Sequence, residues 1–200
     1  MTVSEALKEK GFYTIDDGFY SKIYEWKSWY VGNVKNFSYY KVRTGKESVK
    51  CKRYSLGMAK KVCEDWADLL MNERVAITVD GTSEQEFIDN VFEKNNFYVK
   101  ANESQELKSA FGTVAYVVRV TGQREDGEAD GLAIDYVTAE HIHPISWTNG
   151  FIEECAFSKL VTVQNEKYLY LQIHHKNDFG LYEIENAMYS YRTGSLSEVP

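Results

Sequence analysis

Proline is nearly absent from this chain, with two residues in 200. That scarcity argues against a disordered, linker-rich protein. Cysteine is sparse too. Cys51, Cys63 and Cys155 form no CxxC pair, and a small odd count suits a reducing compartment better than a disulfide scaffold. No stretch approaches the roughly 20 apolar residues of a membrane-spanning helix. The first ten residues carry Glu5, Lys8, Glu9 and Lys10 and lack the apolar run of a signal peptide. The protein is therefore expected in the cytoplasm unless a larger particle carries it. GxSxG, GxGxxG and the P-loop pattern are also missing, which removes the commonest nucleophile and nucleotide signatures.

What is present is aromatic. Fifteen tyrosines help bring aromatics to 14% of the chain, and tyrosine is enriched on surfaces that bury against partners. Hydrophobic residues at 44% and charged residues at 26% are ordinary for a globular protein long enough to bury a core. The net charge of -7 argues against a general nucleic-acid coat. One segment runs the other way. Lys41, Arg43, Lys46, Lys50, Lys52, Arg53, Lys60 and Lys61 face only Glu47, so residues 41–61 carry +7 and the remainder -14. Tyr39, Tyr40 and Tyr54 are interleaved. Three readings stay open: contact with phosphate backbones, contact with an acidic face of a neighbouring subunit, or a solvated hairpin whose lysines protect its edges.

Hydrophobic periodicity predicts an α+β fold, with a helix-rich first half followed by an antiparallel β-meander. A single domain over 1–200 is expected, with a soft internal boundary near 112 between a helical half, 1–112, and a strand-rich half, 113–200. Short helices are read at 2–10 and from Thr14, capped through Asp17, to about Trp29. Residues 37–43 and 48–54 form a hairpin around Thr44-Gly45-Lys46. The clearest helix is 55–72, with Ser55 as N-cap and an apolar stripe of Ala59, Val62, Cys63, Trp66, Leu69 and Leu70 that should be packed on something. Residues 75–79 read as a strand. Ser83 and Glu86 form a capping box for a helix burying Phe87, Ile88, Val91 and Phe92. A further helix starts at Asn102 or Ser104 and ends near Phe111-Gly112. Strands follow at 114–120, 132–137, 145–147, 151–163, 167–175 and 181–191, with Asn149-Gly150 as the best hairpin signal.

Few residues suggest chemistry. His141 and His143 would face one side of an extended segment and, with a third ligand, could hold zinc. No HExxH or cysteine-rich partner accompanies them, so satisfied strand and loop histidines are the ordinary reading. His174 and His175 are adjacent. The loop Asp126–Gly131 resembles the start of a calcium loop, but its twelfth position is Val137 where an EF-hand requires Glu. Neighbouring carboxylates such as Glu64-Asp65 and Glu153-Glu154 point apart on helix or strand. No catalytic, cofactor-binding or metal residue is assigned. Lys41, Arg43, Lys46, Lys50, Lys52 and Arg53 are the candidate contacts for a partner or nucleic acid.

A family resemblance begins at Trp26. Trp29-Tyr30-Val31-Gly32 and residues 37–40 introduce it. Residues 52–73 follow, including Gly57-Met58-Ala59-Lys60-Lys61-Val62 and Trp66-Ala67-Asp68-Leu69-Leu70. Then come Ala110-Phe111-Gly112-Thr113, Ile134-Asp135-Tyr136-Val137, Ile142-His143-Pro144, Trp147-Thr148-Asn149-Gly150 and Glu154-Cys155-Ala156-Phe157. This order resembles the portal proteins of tailed bacteriophages and prophages of Gram-positive bacteria, from about residue 20 onward; the helix around Trp66 is its most specific part. The resemblance implies a structural subunit of the head–tail connector vertex, active in capsid assembly and DNA packaging. Such subunits form a ring, usually dodecameric, through which terminase pumps DNA. Their partners are capsid or scaffold protein, terminase and head-completion proteins. The location implied is the virion, and the host bacterial cytoplasm during assembly, with no membrane. The matched region corresponds to the family's wing. The family pattern continues into a stem helix and clip beyond residue 200, so the chain is expected to be a fragment without them. Two rivals remain: a nucleic-acid-binding module using the hairpin region 41–61, and a metal-dependent hydrolase using His141 and His143.

Overall fold

The computed structural model describes residues 2–71, 75–122, 131–192 and 195–198. In chain order the elements are α1 (Val3–Glu9), α2 (Asp17–Val31), α3 (Lys35–Ser38), β1 (Tyr39–Thr44), β2 (Glu47–Lys52), α4 (Met58–Met71), α5 (Thr82–Lys94), α6 (Phe97–Phe111), β3 (Val114–Thr121) and β4 (Gly131–Thr138). A 3-10 turn (Ala139–His141) then leads to β5 (Ile142–Thr148), β6 (Phe151–Val163), β7 (Glu166–Lys176), β8 (Tyr182–Arg192) and β9 (Ser195–Glu198). Every described α-helix precedes Gly112 and antiparallel strands follow it, so the α+β reading holds. The chain forms two compact units: Met1–Ser21 with Glu140–Pro200, and Lys22–Ala139.

The first unit is a five-stranded antiparallel meander in the order β5-β6-β7-β8-β9. Asn149 and Gly150 both take positive φ, 51° and 83°, at the β5–β6 turn; tight hairpins of the mirror-image type require this, because their twist matches the strands. Side chains alternate across each strand. Leu169, Leu171 and Ile173 of β7, Ala156 of β6, and Ala187 and Tyr189 of β8 therefore share one buried face, onto which Ala6 and Leu7 of α1 pack. Helix α1 is held at its start by a reciprocal cap: the Glu5 amide donates to Thr2 Oγ1 and the Thr2 amide to the Glu5 carboxylate. At its far end Lys10 Nζ pairs with Glu185 of β8 at 2.6 Å.

The second unit combines the remaining helices with two separate hairpins, β1–β2 and β3–β4. Strand β4 is tied to the helices by side chains. The Asn95 amide group donates to the Leu132 carbonyl and accepts from the Ile134 amide, both at 2.8 Å. Lys100 Nζ donates to the Ile134 carbonyl at 2.6 Å, and Asp135 takes ion pairs from Lys100 and Arg119.

Several local expectations change. Asp16, not Thr14, opens α2, its carboxylate accepting from the Gly18 amide. Residues 37–38 end a short helical turn, α3, before the strand begins at Tyr39. Helix α4 starts at Met58, because Ser55 Oγ accepts from the Gly57 amide in a turn just before it. Residues 75–79 form no strand: the Gln85 side chain accepts from the Val79 amide and donates to the Ile77 carbonyl, in place of a partner strand. The Ser83–Glu86 capping box does not form; Gly81 precedes α5, and Ser83 Oγ donates to Glu84. Helix α5 buries no residue fully, and Phe87 is exposed. Helix α6 begins at Phe97, ahead of Asn102. The end of the 55–72 helix at Asn72 and the loop at 126–130 lie outside the described residues.

Candidate interaction surface

Strands β1 and β2 pair Tyr39 with Lys52, Tyr40 with Cys51, Lys41 with Lys50, Val42 with Val49, Arg43 with Ser48 and Thr44 with Glu47. Directly opposed residues share a face, so this register sorts the hairpin into two chemistries. One face carries Tyr39, Lys41, Arg43, Lys50 and Lys52. The other carries Tyr40, Val42, Val49 and Cys51. All of β1 is exposed, and Cys51 alone in β2 is half-buried. A two-stranded hairpin bare on both faces is marginal in water. The Lys41–Lys50 pair adds like-charge repulsion across the ladder.

The candidate contacts therefore do not act alike. Lys41, Arg43, Lys50 and Lys52 form one basic face, and Lys52 also sits 5.8 Å over the Tyr39 ring. Lys46 lies in the turn. Arg53 is used within the chain: its guanidinium donates to the Phe37 carbonyl at 2.8 Å and stacks over Phe37 and Tyr40.

Helix α4 gives the largest departure from expectation. It packs on α6, with buried Ala67 on α4 and buried Ala101 and Ser104 on α6. Small side chains let helix backbones approach closely. Asn102 of α6 donates to Asp68 of α4 at 3.1 Å. At 100° per residue, Cys63, Ala67 and Met71 lie about a third of a turn away from Met58, Val62, Trp66, Leu69 and Leu70. The expected core stripe is thus the uncovered one: Val62 is 51% exposed, Trp66 56%, Leu69 72% and Leu70 53%. Fully burying a large apolar side chain is worth about 1.5–3 kcal/mol, and each of these forgoes part of that in the isolated chain. Cys63 does lie on the half-buried side, as expected of a core cysteine.

Tyr30 of α2 ties the helices together. Its hydroxyl donates to Glu106 of α6, its ring meets Phe111 edge-on at 5.5 Å, and Lys60 of α4 lies 5.9 Å above it. Burial first, then the Glu106 carboxylate, pushes the phenol well above its usual range.

The histidines have structural employment. His143 is 4% exposed on β5. Its Nδ1 lies 2.9 Å from the Tyr20 hydroxyl and its Nε2 2.9 Å from Ser158 Oγ. The Tyr20 proton goes to the Ile142 carbonyl at 3.0 Å. His143 Nδ1–H must then donate to Tyr20, leaving Nε2 to accept from Ser158, whose oxygen accepts from His141 Nδ1 at 3.3 Å. Burial, and secondarily the charge of His141, hold His143 down at about 4. With both ring nitrogens engaged, His143 offers no lone pair to a metal. No three His, Cys, Asp or Glu side chains converge as a metal site among the described residues. His174 and His175 fall on opposite faces of β7: the first against Phe157 and Tyr182, the second 4.9 Å from Phe12.

The bare apolar stripe of α4 and the exposed hairpin are the kind of surface through which proteins meet partners. Residues 10–191 match the family described as "Phage portal protein, SPP1 Gp6-like", and the chain belongs to that family. A comparison with curated proteins finds no match. Phage portals are structural proteins and virion components, and membership implies an oligomeric ring associated with the capsid. No helix of the described residues is long and apolar enough to cross a membrane.

The family motif marked α4 in the sequence, but not which of its faces would stay bare. The apolar face of the hairpin went unread, although its signal was present: between Tyr40 and Thr44, apolar or neutral residues alternate with Lys41 and Arg43.

Proposed function

We propose that this chain is the wing-like region of a portal subunit, and that it works by self-association and by contact with capsid or scaffold protein during head assembly and DNA packaging. Terminase and head-completion proteins would be partners of the assembled ring, and DNA its cargo. The match over residues 10–191 carries the reading. The uncovered apolar stripe of α4 supports it, since contiguous exposed apolar surface marks interaction sites. Sedimentation velocity and negative-stain microscopy of the purified chain across a concentration series test it. Concentration-dependent closed oligomers are expected; a single monomeric species at every concentration would count against a self-assembling wing.

A second reading has one observation in its favour: Tyr39, Lys41, Arg43, Lys50 and Lys52 form a continuous exposed basic face. A nucleic-acid contact there predicts duplex binding that weakens steeply with salt. It also predicts that Lys50→Glu with Lys52→Glu abolishes that binding.

A further inference from the structure

Two uncovered surfaces occur in the same unit, and their chemistries are complementary. The hairpin has an apolar face of Tyr40, Val42 and Val49, with Glu47 at its turn end, and its other face and turn carry Lys41, Arg43, Lys46, Lys50 and Lys52. Helix α4 has the apolar stripe Met58, Val62, Trp66, Leu69 and Leu70, edged by Asp65. Helix α5, in the same unit, carries Glu84, Glu86, Asp89 and Glu93 against Lys94, with exposed Phe87 among them. Within the chain, Lys60 and Lys61 already pair with Glu64 and Asp65. Helix α5 thus has four carboxylates against one lysine, and the hairpin with its turn has five basic side chains against one acid.

We propose that the β1–β2 hairpin of one copy docks by its apolar face on the α4 stripe of the next, with its lysines reaching the acidic side chains of α5. This rests on the ring-subunit reading above and names the contact that would build the ring. A nucleic-acid partner would satisfy the basic face but leave Tyr40, Val42 and Val49 in water. A second copy covers the apolar face, and its acidic α5 offers a partner to the long basic side chains at the hairpin's edges and turn. The contact joins two different surfaces, so it is head-to-tail, and each copy keeps a free hairpin at one end and a free stripe at the other. Such contacts propagate into closed rings or open chains. A stripe centred on Trp66 also has the composition of an energetic hot spot, because a buried tryptophan at the middle of an interface dominates affinity.

The test uses the full chain and two double variants at exposed positions, so the subunit's own fold is spared: Val42→Asp with Val49→Asp, and Trp66→Glu with Leu69→Glu. Circular dichroism confirms folding, and sedimentation velocity reads assembly. The wild-type chain is expected to associate, and each variant alone to associate at least about tenfold more weakly. Mixed in equal amounts, the two variants should form a one-to-one dimer and nothing larger, since the mixture retains one intact hairpin and one intact stripe. Wild-type association left unchanged by both variants would overturn the docking while leaving the ring reading standing. A wild-type chain that stays monomeric would overturn both. Duplex binding lost in the hairpin variant while self-association persists would also overturn the docking, and assign the hairpin to nucleic acid.

Discussion

Lowering the pH should destabilise the first unit in part through His143, and the size of that share follows from its surroundings. In the native protein the ring is enclosed and held to about 4, against 6.5 when free. Its folded value is depressed, so the neutral ring contributes stability that is complete above about pH 7. That contribution is lost as the unfolded chain takes up a proton the folded chain refuses. The loss begins near 6.5 and is complete near 4. Each unit of difference is worth about 1.4 kcal/mol, giving about 2 kcal/mol lost between pH 7.5 and 5, and about 3 kcal/mol in full. Carboxylates also titrate in this range, so the comparison needs a reference that shares them. His143→Gln keeps an acceptor for Ser158 but does not titrate. It should be less stable than wild type by about 1–3 kcal/mol at pH 7.5, from imperfect hydrogen bonding. That gap should shrink by about 2 kcal/mol at pH 5. Urea titrations followed by far-ultraviolet circular dichroism at the two pH values measure it. A gap that stays constant would refute the reasoning, as would a His143 ring proton that titrates near 6.5 by nuclear magnetic resonance.

Three further outcomes are expected. Tyr30→Phe removes the donor to Glu106 and should cost about 1–2 kcal/mol in urea unfolding; a neutral result would mean that water replaces the phenol. Ala67→Leu inserts a larger side chain between α4 and α6 and should cost about 1–3 kcal/mol, whereas Leu69→Ala on the bare stripe should cost the isolated chain less than about 0.5 kcal/mol. Cys155 is pushed up to about 11, chiefly by burial. At pH 8 it should resist alkylation in the native protein and react on unfolding, as mass spectrometry of the labelled peptide would show.

The parts legible in the sequence were those fixed by short-range rules. Asn149-Gly150 forces its turn, and the strand 151–163 was read at both ends because two-residue alternation and turn residues bound it. The basic hairpin was legible because Gly45 and the lysines around it are local signals. What was not legible depended on distant partners. Residues 75–79 look like a strand until Gln85, six residues past Val79, supplies hydrogen bonds to their backbone. The stripe of α4 looks like a core because periodicity reports that one face is apolar, not that this chain will cover it. Here the small residues of α6 drew inward a side of the helix about a third of a turn away. The histidine network was invisible for the same reason: Tyr20 and His143 lie 123 residues apart in the chain.

The bare stripe also has a consequence in time. Between synthesis and assembly, Trp66, Leu69 and Leu70 stand in solvent, where they are as ready to stick to a stray chain as to the right one. The net charge of -7 then keeps copies apart by mutual repulsion. Raising the salt screens that repulsion while strengthening apolar attraction, so the concentration at which the chain begins to clump should fall as ionic strength rises.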